Sequence, residues 1–203
     1  MKIFHINKII LLLLITSGCS NLTLEDKIKK KINDSDGVFA LAFKDLSSGR
    51  EIFFNEREDF HAASTMKTPV MIEVFKQANN GEFNLNDSII LKNEFKSIVD
   101  NSFFSLSDLE DTEVTLYQYL GKNKSIYSLV EDMIIFSSNF ATNLIIDFIG
   151  SKNVNQTMRE IGAMDINVLR GVEDIKAYEQ GFNNTTTAYD LMLIYEKLAN
   201  GKI

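Results

Sequence analysis

The chain of 203 residues has one cysteine (Cys19), one proline (Pro69) and two histidines (His5 and His61). A single cysteine cannot form an internal disulfide, so the fold must rest on its apolar core. One histidine beyond the first twenty residues cannot build a zinc site, because His61 would have no partner ligands of its own kind. Positive charge is also scarce: 21 Lys and Arg stand against 28 Asp and Glu, for a net charge of −7. A surface this acidic argues against nucleic acid, whose phosphates require Lys and Arg. There are no internal repeats and no low-complexity linkers. The early apolar run, Ile9–Ile15, covers seven residues and is too short to span a bilayer as a stable helix.

That short run has a context. Lys2 and Lys8 precede or flank it with no acid nearby, and Thr16-Ser17-Gly18-Cys19 follows. A basic start, an apolar stretch and small residues make a secretory signal. The small residues end on Cys19, as in a bacterial lipobox. This resemblance implies cleavage before Cys19, lipidation of its thiol and attachment to a membrane of the cell envelope, facing the periplasm or at the outer membrane. Residues 1–18 are then a signal peptide and 19–36 a tether with a first helix. The 185 residues left after removing the first 18 carry 19 basic and 28 acidic side chains, a net −9, and suit one domain, residues 37–203.

Gly37–Lys44 reads as a strand, Asp45–Gly49 as a turn and Glu51–Asn55 as a returning strand. A helix is predicted from near Ser64 to Ala78, ended by Asn79-Asn80-Gly81. Phe83–Asp111 reads as irregular, with a short strand at Ile89–Leu91. Tyr127–Ile135 and Phe140–Ile149 are apolar enough to be buried helices, and a last helix runs from near Thr186, capped by Thr185 or Thr186, to Ala199. Two early strands followed by many helices is an α+β pattern.

Chemistry concentrates at three places. In Ser64-Thr65-Met66-Lys67, positions i and i+3 share a helix face, which brings the Lys67 amine towards the Ser64 hydroxyl. A serine is a poor nucleophile until a neighbour takes its proton, and a lysine can do so only when its surroundings lower its pKa. Pro69 lies two residues beyond Lys67, where it removes a donor and crowds the Thr65 carbonyl, so the first turn is expected to be irregular. The second place, Ser137-Ser138-Asn139, separates two buried helices; it can be a helix cap through Ser138 or Asn139, or it can be functional. The third, Arg170–Thr187, is a polar loop holding two candidate acids, Glu173 and Glu179.

Together the first two places resemble class A β-lactamases and penicillin-binding proteins, which pair Ser-x-x-Lys with a later Ser-Asp-Asn. The segments FHAASTMKTPVMIEVF (60–75) and MIIFSSNFATNLII (133–146) carry the likeness, which covers roughly residues 37–200. It implies a β-lactamase/transpeptidase-like fold, a helical domain plus an antiparallel sheet of which this chain contains the N-terminal hairpin. It implies Ser64 as nucleophile, Lys67 as proton acceptor, Ser137 as proton relay and Asn139 as the group binding the substrate amide. It also implies an Ω-loop acid that activates the deacylating water, assigned to Glu173 from its spacing after Ser137, with Glu179 as the other candidate and Asn183 or Asn184 helping to hold the water. Ser138 departs from the family's Asp, and Glu173 lacks the family's following Pro. Residues 83–124 are expected to carry an insertion. The Lys-Thr-Gly motif does not occur in residues 1–203, and the expectation is an incomplete domain that is inactive and poorly folded by itself. The implied activity is β-lactam hydrolysis through an acyl-enzyme by a monomer that needs no cofactor or metal. The alternatives are a D-Ala-D-Ala peptidase or transpeptidase acting on cell-wall peptide, or a non-catalytic lipoprotein.

Overall fold

The computed structural model of the protein describes residues 22–203; Cys19 and the signal segment lie outside the described residues. A boundary falls at Gly37. Before it lies one helix, α1 (Leu24–Asn33). Thr23 caps it reciprocally with Asp26: the Thr23 hydroxyl accepts from the Asp26 amide at 3.1 Å, and the Asp26 carboxylate accepts from the Thr23 amide at 3.0 Å.

The second unit, Val38–Ile203, opens with the antiparallel hairpin β1 (Leu41–Lys44) and β2 (Glu51–Phe54), in which Leu41 pairs with Phe54 and Lys44 with Glu51. The expected first strand began at Gly37, four residues earlier. The ladder ends sooner because Asn55 takes a left-handed conformation (φ 45°) and its side-chain amide donates to the Phe39 carbonyl at 3.1 Å, in place of a further backbone rung. β3 (Phe60–His61) then leads through a 3₁₀ turn (Ala63–Met66) into α2 (Lys67–Asn79).

Residues 80–125 are mostly irregular, with β4 (Ser88–Ile90) near the strand expected at Ile89–Leu91 and three short strands that were not expected, β5 (Phe95–Lys96), β6 (Phe103–Phe104) and β7 (Asn123–Ser125); β4 pairs with β7 and β5 with β6. The helices α3 (Ile126–Ile135) and α4 (Asn139–Ile149) follow within a residue of the predicted starts. Eight of the eleven α4 residues are buried, which makes it the central helix. Met66, Val70 and Val74 pack with Leu129, Met133, Phe140 and Ile145 in the main core, and Phe95, Leu116 and Val154 close its edges. Burying each such side chain is worth about 1.5–3 kcal/mol.

Gly150 (φ 80°) ends α4 and starts α5 (Ser151–Glu160), a helix the sequence reading did not include. Its sequence, SKNVNQTMRE, is almost wholly polar and shows only Val154 and Met158 as an apolar stripe, too thin a period to register. After α6 (Ile175–Glu179), β8 (Thr185–Thr186) pairs antiparallel with β3. Thr185 and Thr186 are thus strand residues, and the cap of α7 (Ala188–Ala199) is Thr187, whose hydroxyl accepts from the Asp190 amide. A second core of Ile72, Met158, Ala163, Ile166 and Ile194 joins α2, α5 and α7.

Candidate active site

The turn carrying Ser64 is shaped by Pro69. A regular helix beginning at Ser64 would aim the Thr65 carbonyl at the proline ring. The chain instead passes Ala63–Met66 as a 3₁₀ turn and begins α2 at Lys67, so Pro69 falls in the first turn, where no amide donor is needed. The turn is tied from behind by the β3–β8 ladder and by the Ala62 amide, which donates to the Asn184 carbonyl at 2.8 Å. Ala63 adopts φ 45°, and its amide donates to His61 Nδ1 at 3.1 Å.

Lys67 is buried, with 2% of its surface exposed. Its Nζ donates to the Ser137 carbonyl at 2.5 Å, to Ser137 Oγ at 3.0 Å and to Asn139 Oδ1 at 3.2 Å. Ser137 Oγ in turn lies 2.9 Å from Ser64 Oγ. The amine therefore connects to the nucleophile candidate through the second serine, a link the i, i+3 argument did not contain. Burial pulls the Lys67 pKa down to about 8, against the opposing attraction of the Asp111 and Glu173 carboxylates. Ser137 is held at φ 57°, and that backbone conformation turns both its carbonyl and its hydroxyl onto Nζ.

Ser138 is the N-cap of α4: its hydroxyl accepts from the Ala141 amide at 3.1 Å. The two amides before that are taken by Asp111, which the sequence reading did not single out. Asp111 Oδ1 accepts from Asn139 N at 3.1 Å and Oδ2 from Phe140 N at 2.7 Å, with the Tyr117 hydroxyl at 3.0 Å.

Asn139 bridges the site. Its Oδ1 faces Lys67, and its Nδ2 donates to Glu173 Oε1 at 3.2 Å, which fixes the amide orientation. Glu173 itself has φ 61° and, with Ser64 and Asn139, lines an open cavity of about 400 Å³ that His61, Arg170 and Tyr178 also border. Glu179, at the end of α6, is exposed and does not line it. Asn184 faces the cavity but is occupied in bracing the loop, accepting from Leu169 N and Arg170 N and donating to the Arg170 carbonyl. Asn183 Oδ1 is buried without a hydrogen-bond partner.

The loop before Glu173 is clamped by Asn143, another residue not singled out beforehand. Its Oδ1 accepts from Val172 N at 2.6 Å and its Nδ2 donates to Val172 O at 3.0 Å. A polar side chain in the middle of an apolar helix was a signal available in the sequence. Asp111 carried no local signal at all.

Solved structures similar to this chain include PBP-A (24% identity, TM-score 0.69, covering 88% of this chain and 62% of that one). A beta-lactamase from Sphaerobacter thermophilus DSM 20745 matches at 27% identity and TM-score 0.61, covering 80% and 56%. The TLA-3 extended-spectrum beta-lactamase matches at 17% identity and TM-score 0.74, covering 88% and 62%. The fold is β-lactamase/transpeptidase-like, and the chain spans about three-fifths of the length of these structures. The model of the beta-lactamase enzyme family (Beta-lactamase2) matches residues 23–203, and the chain belongs to that family.

Proposed function

We propose that the protein is a serine hydrolase that opens β-lactam rings through an acyl-enzyme formed on Ser64. The observation that carries this reading is the hydrogen-bond chain Lys67 Nζ–Ser137 Oγ–Ser64 Oγ, with steps of 3.0 and 2.9 Å. Three acceptors surround Nζ and account for the three protons of an ammonium. When Lys67 gives up one proton, its lone pair needs a donor. A carbonyl and an amide oxygen only accept, so the Ser137 hydroxyl is the one partner of the three able to reverse its role. With a pKa of about 8, roughly a tenth of Lys67 is neutral at pH 7.

In the acylation step Ser64 Oγ attacks the lactam carbonyl carbon. The Ser64 proton moves to Ser137 Oγ while the Ser137 proton moves to neutral Lys67. Collapse of the tetrahedral intermediate breaks the ring C–N bond, and the proton returns from Lys67 through Ser137 to the leaving nitrogen. Asn139 binds the substrate amide. Glu173, on the same cavity, then activates the water that hydrolyses the ester. Support for a β-lactam as ligand comes from a PBP-A mutant, 25% identical at TM-score 0.69, whose structure is an acyl-enzyme complex with penicillin-G.

Two contacts favour a second reading, a penicillin-binding peptidase that acylates in the same way but releases penicillin slowly because its loop carboxylate is engaged or imperfectly held. The Glu173 carboxylate accepts from the Asn139 amide, and the Asn143 clamp grips Val172 rather than Glu173 itself. The test is to incubate the protein, as its gene encodes it, with penicillin-G and follow the adduct by mass spectrometry. The expected result is a mass gain on Ser64, absent in Ser64→Ala, that decays by turnover within the assay. A persistent adduct on Ser64 selects the peptidase; an adduct elsewhere, or one undiminished in Ser64→Ala, refutes both.

A further inference from the structure

Asp111 is 8% exposed and sits in the irregular segment ahead of α3, far in sequence from both Ser64 and Ser137. It is a buried carboxylate surrounded by donors: the amides of Asn139 and Phe140, the Tyr117 hydroxyl, and the Ser138 hydroxyl at 3.3 Å. Those two amides are the first of α4, the orphan donors at the positive end of its dipole. Ser138 can serve only the next one, Ala141. One residue before the Ser138 cap stands Ser137, a non-glycine residue held in the left-handed region. That conformation presents both Ser137 oxygens to Lys67 and leaves Ser137 Oγ beside Ser64. A relaxed turn would lose that double contact.

We propose that Asp111 is a positioning residue for acylation: its carboxylate locks the turn that aims Ser137 and Asn139 at Lys67 and Ser64. The inference rests on the reading of Ser64 as the acylated residue. An anion is required, not merely a polar group of the same shape. Every contact Asp111 makes here is with a donor, and an amide in its place would turn an NH₂ onto another N–H or O–H. The charge acts on Lys67 as well. The carboxylates facing Lys67 are Asp111, from the segment before α3, and Glu173, from the loop before α6, where the Arg170 guanidinium also lies. Asp111 is the stronger of the two in favouring the ammonium. Tyr117, which donates to Asp111, has its pKa pushed up by burial first and then by that carboxylate, and so adds no charge of its own.

Ser138 offers the way to test this. Its Oγ lies 3.3 Å from Asp111 Oδ2, so a carboxylate introduced at position 138 would stand beside the one it could replace. In the protein as its gene encodes it, Asp111→Asn should lower kcat/KM for acylation by penicillin-G about 100-fold, the loss typical of a catalytic group displaced by about 1 Å. With an opposing negative charge gone, the Lys67 titration should move down by about one pH unit, and the acid limb of the acylation profile should move with it. Ser138→Asp alone crowds two carboxylates and should also slow acylation. The double variant Asp111→Asn/Ser138→Asp should recover at least tenfold over Asp111→Asn. The Lys67 titration is also read by NMR on lysine-labelled protein without substrate. If wild type forms no adduct on Ser64, the functional reading fails, while the Lys67 shift and its reversal in the double variant still decide the role of Asp111. Unchanged acylation in Asp111→Asn, an unmoved Lys67 titration, or a double variant no better than the single one would overturn the proposal. A purely structural carboxylate would lower thermal stability without moving the pH limb.

Discussion

Gly171→Ala adds one methyl group in the loop that carries Glu173, two residues before it, and the structure sets its consequence. The new Cβ would lie 2.2 Å from Asn143 Oδ1 and 2.7 Å from its Cγ, where real contacts essentially never fall below 3.0 Å. Something must move by about 0.8 Å. Asn143 is 2% exposed in the middle of the central helix α4, so it cannot retreat. Gly171 does not have a positive φ, so alanine carries no backbone penalty and the clash is the whole perturbation. The loop must lift, and the two bonds of 2.6 and 3.0 Å between Asn143 and Val172 are lost. Leaving a buried amide unpaired costs about 1–3 kcal/mol, which for a domain of this size lowers Tm by roughly 2–10 °C. Glu173 is two residues beyond Gly171 and follows Val172 directly, so deacylation should fall about 100-fold. The Lys67–Ser137–Ser64 chain does not pass through the loop, so acylation should stay within a few-fold of wild type. Mass spectrometry of the penicillin-G adduct separates the two steps: Gly171→Ala should stall as acyl-enzyme. Asn143→Ala should do the same, and the two together should add little, because both break one clamp. Wild-type turnover at an unchanged Tm in Gly171→Ala would refute the clamp.

Acylation should accelerate as pH rises through about 8, because Lys67 is the base only when neutral and its lowered pKa lies there; a rate that is flat from pH 6 to pH 9 counts against Lys67 as the proton acceptor. Glu173→Gln should accumulate acyl-enzyme while Glu179→Gln, at an exposed position outside the cavity, turns over normally, and the opposite pattern transfers the role to Glu179. If Cys19 carries the lipid that its sequence context implies, Cys19→Ser should move the protein from the membrane to the soluble fraction, and unchanged membrane association would end that proposal.

The helices α3 and α4 were legible because each is a long apolar run bounded by a polar break, and burial leaves such a run few other conformations. The irregular start of the Ser64 turn was legible from Pro69, since the proline constraint is local and steric. What could not be read were features decided by residues far apart. α5 is held by Val154 and Met158 reaching separate cores, while its own composition argues for a loop. Asp111 reaches α4 across 28 residues of chain, and an acid in an irregular segment has the same local appearance whether it caps a buried helix or faces water.

Backbone conformation at the site belongs to the same class. Among the described residues five non-glycines have positive φ, and three of them, Ala63, Ser137 and Glu173, lie at the candidate site. None is an Asn or Asp, the residues that tolerate this region best, and each costs on the order of 1–2 kcal/mol. A glycine at 137 or 173 would remove that cost but also the side chain the position presents. At 137 it would delete the hydroxyl between Lys67 and Ser64, and at 173 the carboxylate on Asn139. The fold therefore holds side chains where the backbone prefers none. It does so through side-chain bonds, local from His61 on Ala63 and from distant chain for the other two, Asp111 beside Ser137 and Asn143 just before Glu173. The three supports hold backbone conformations at residues 63, 137 and 173, close to the Lys67–Ser137–Ser64 chain and to Asn139. They are what a site requires when its reacting groups must be oriented before the substrate arrives.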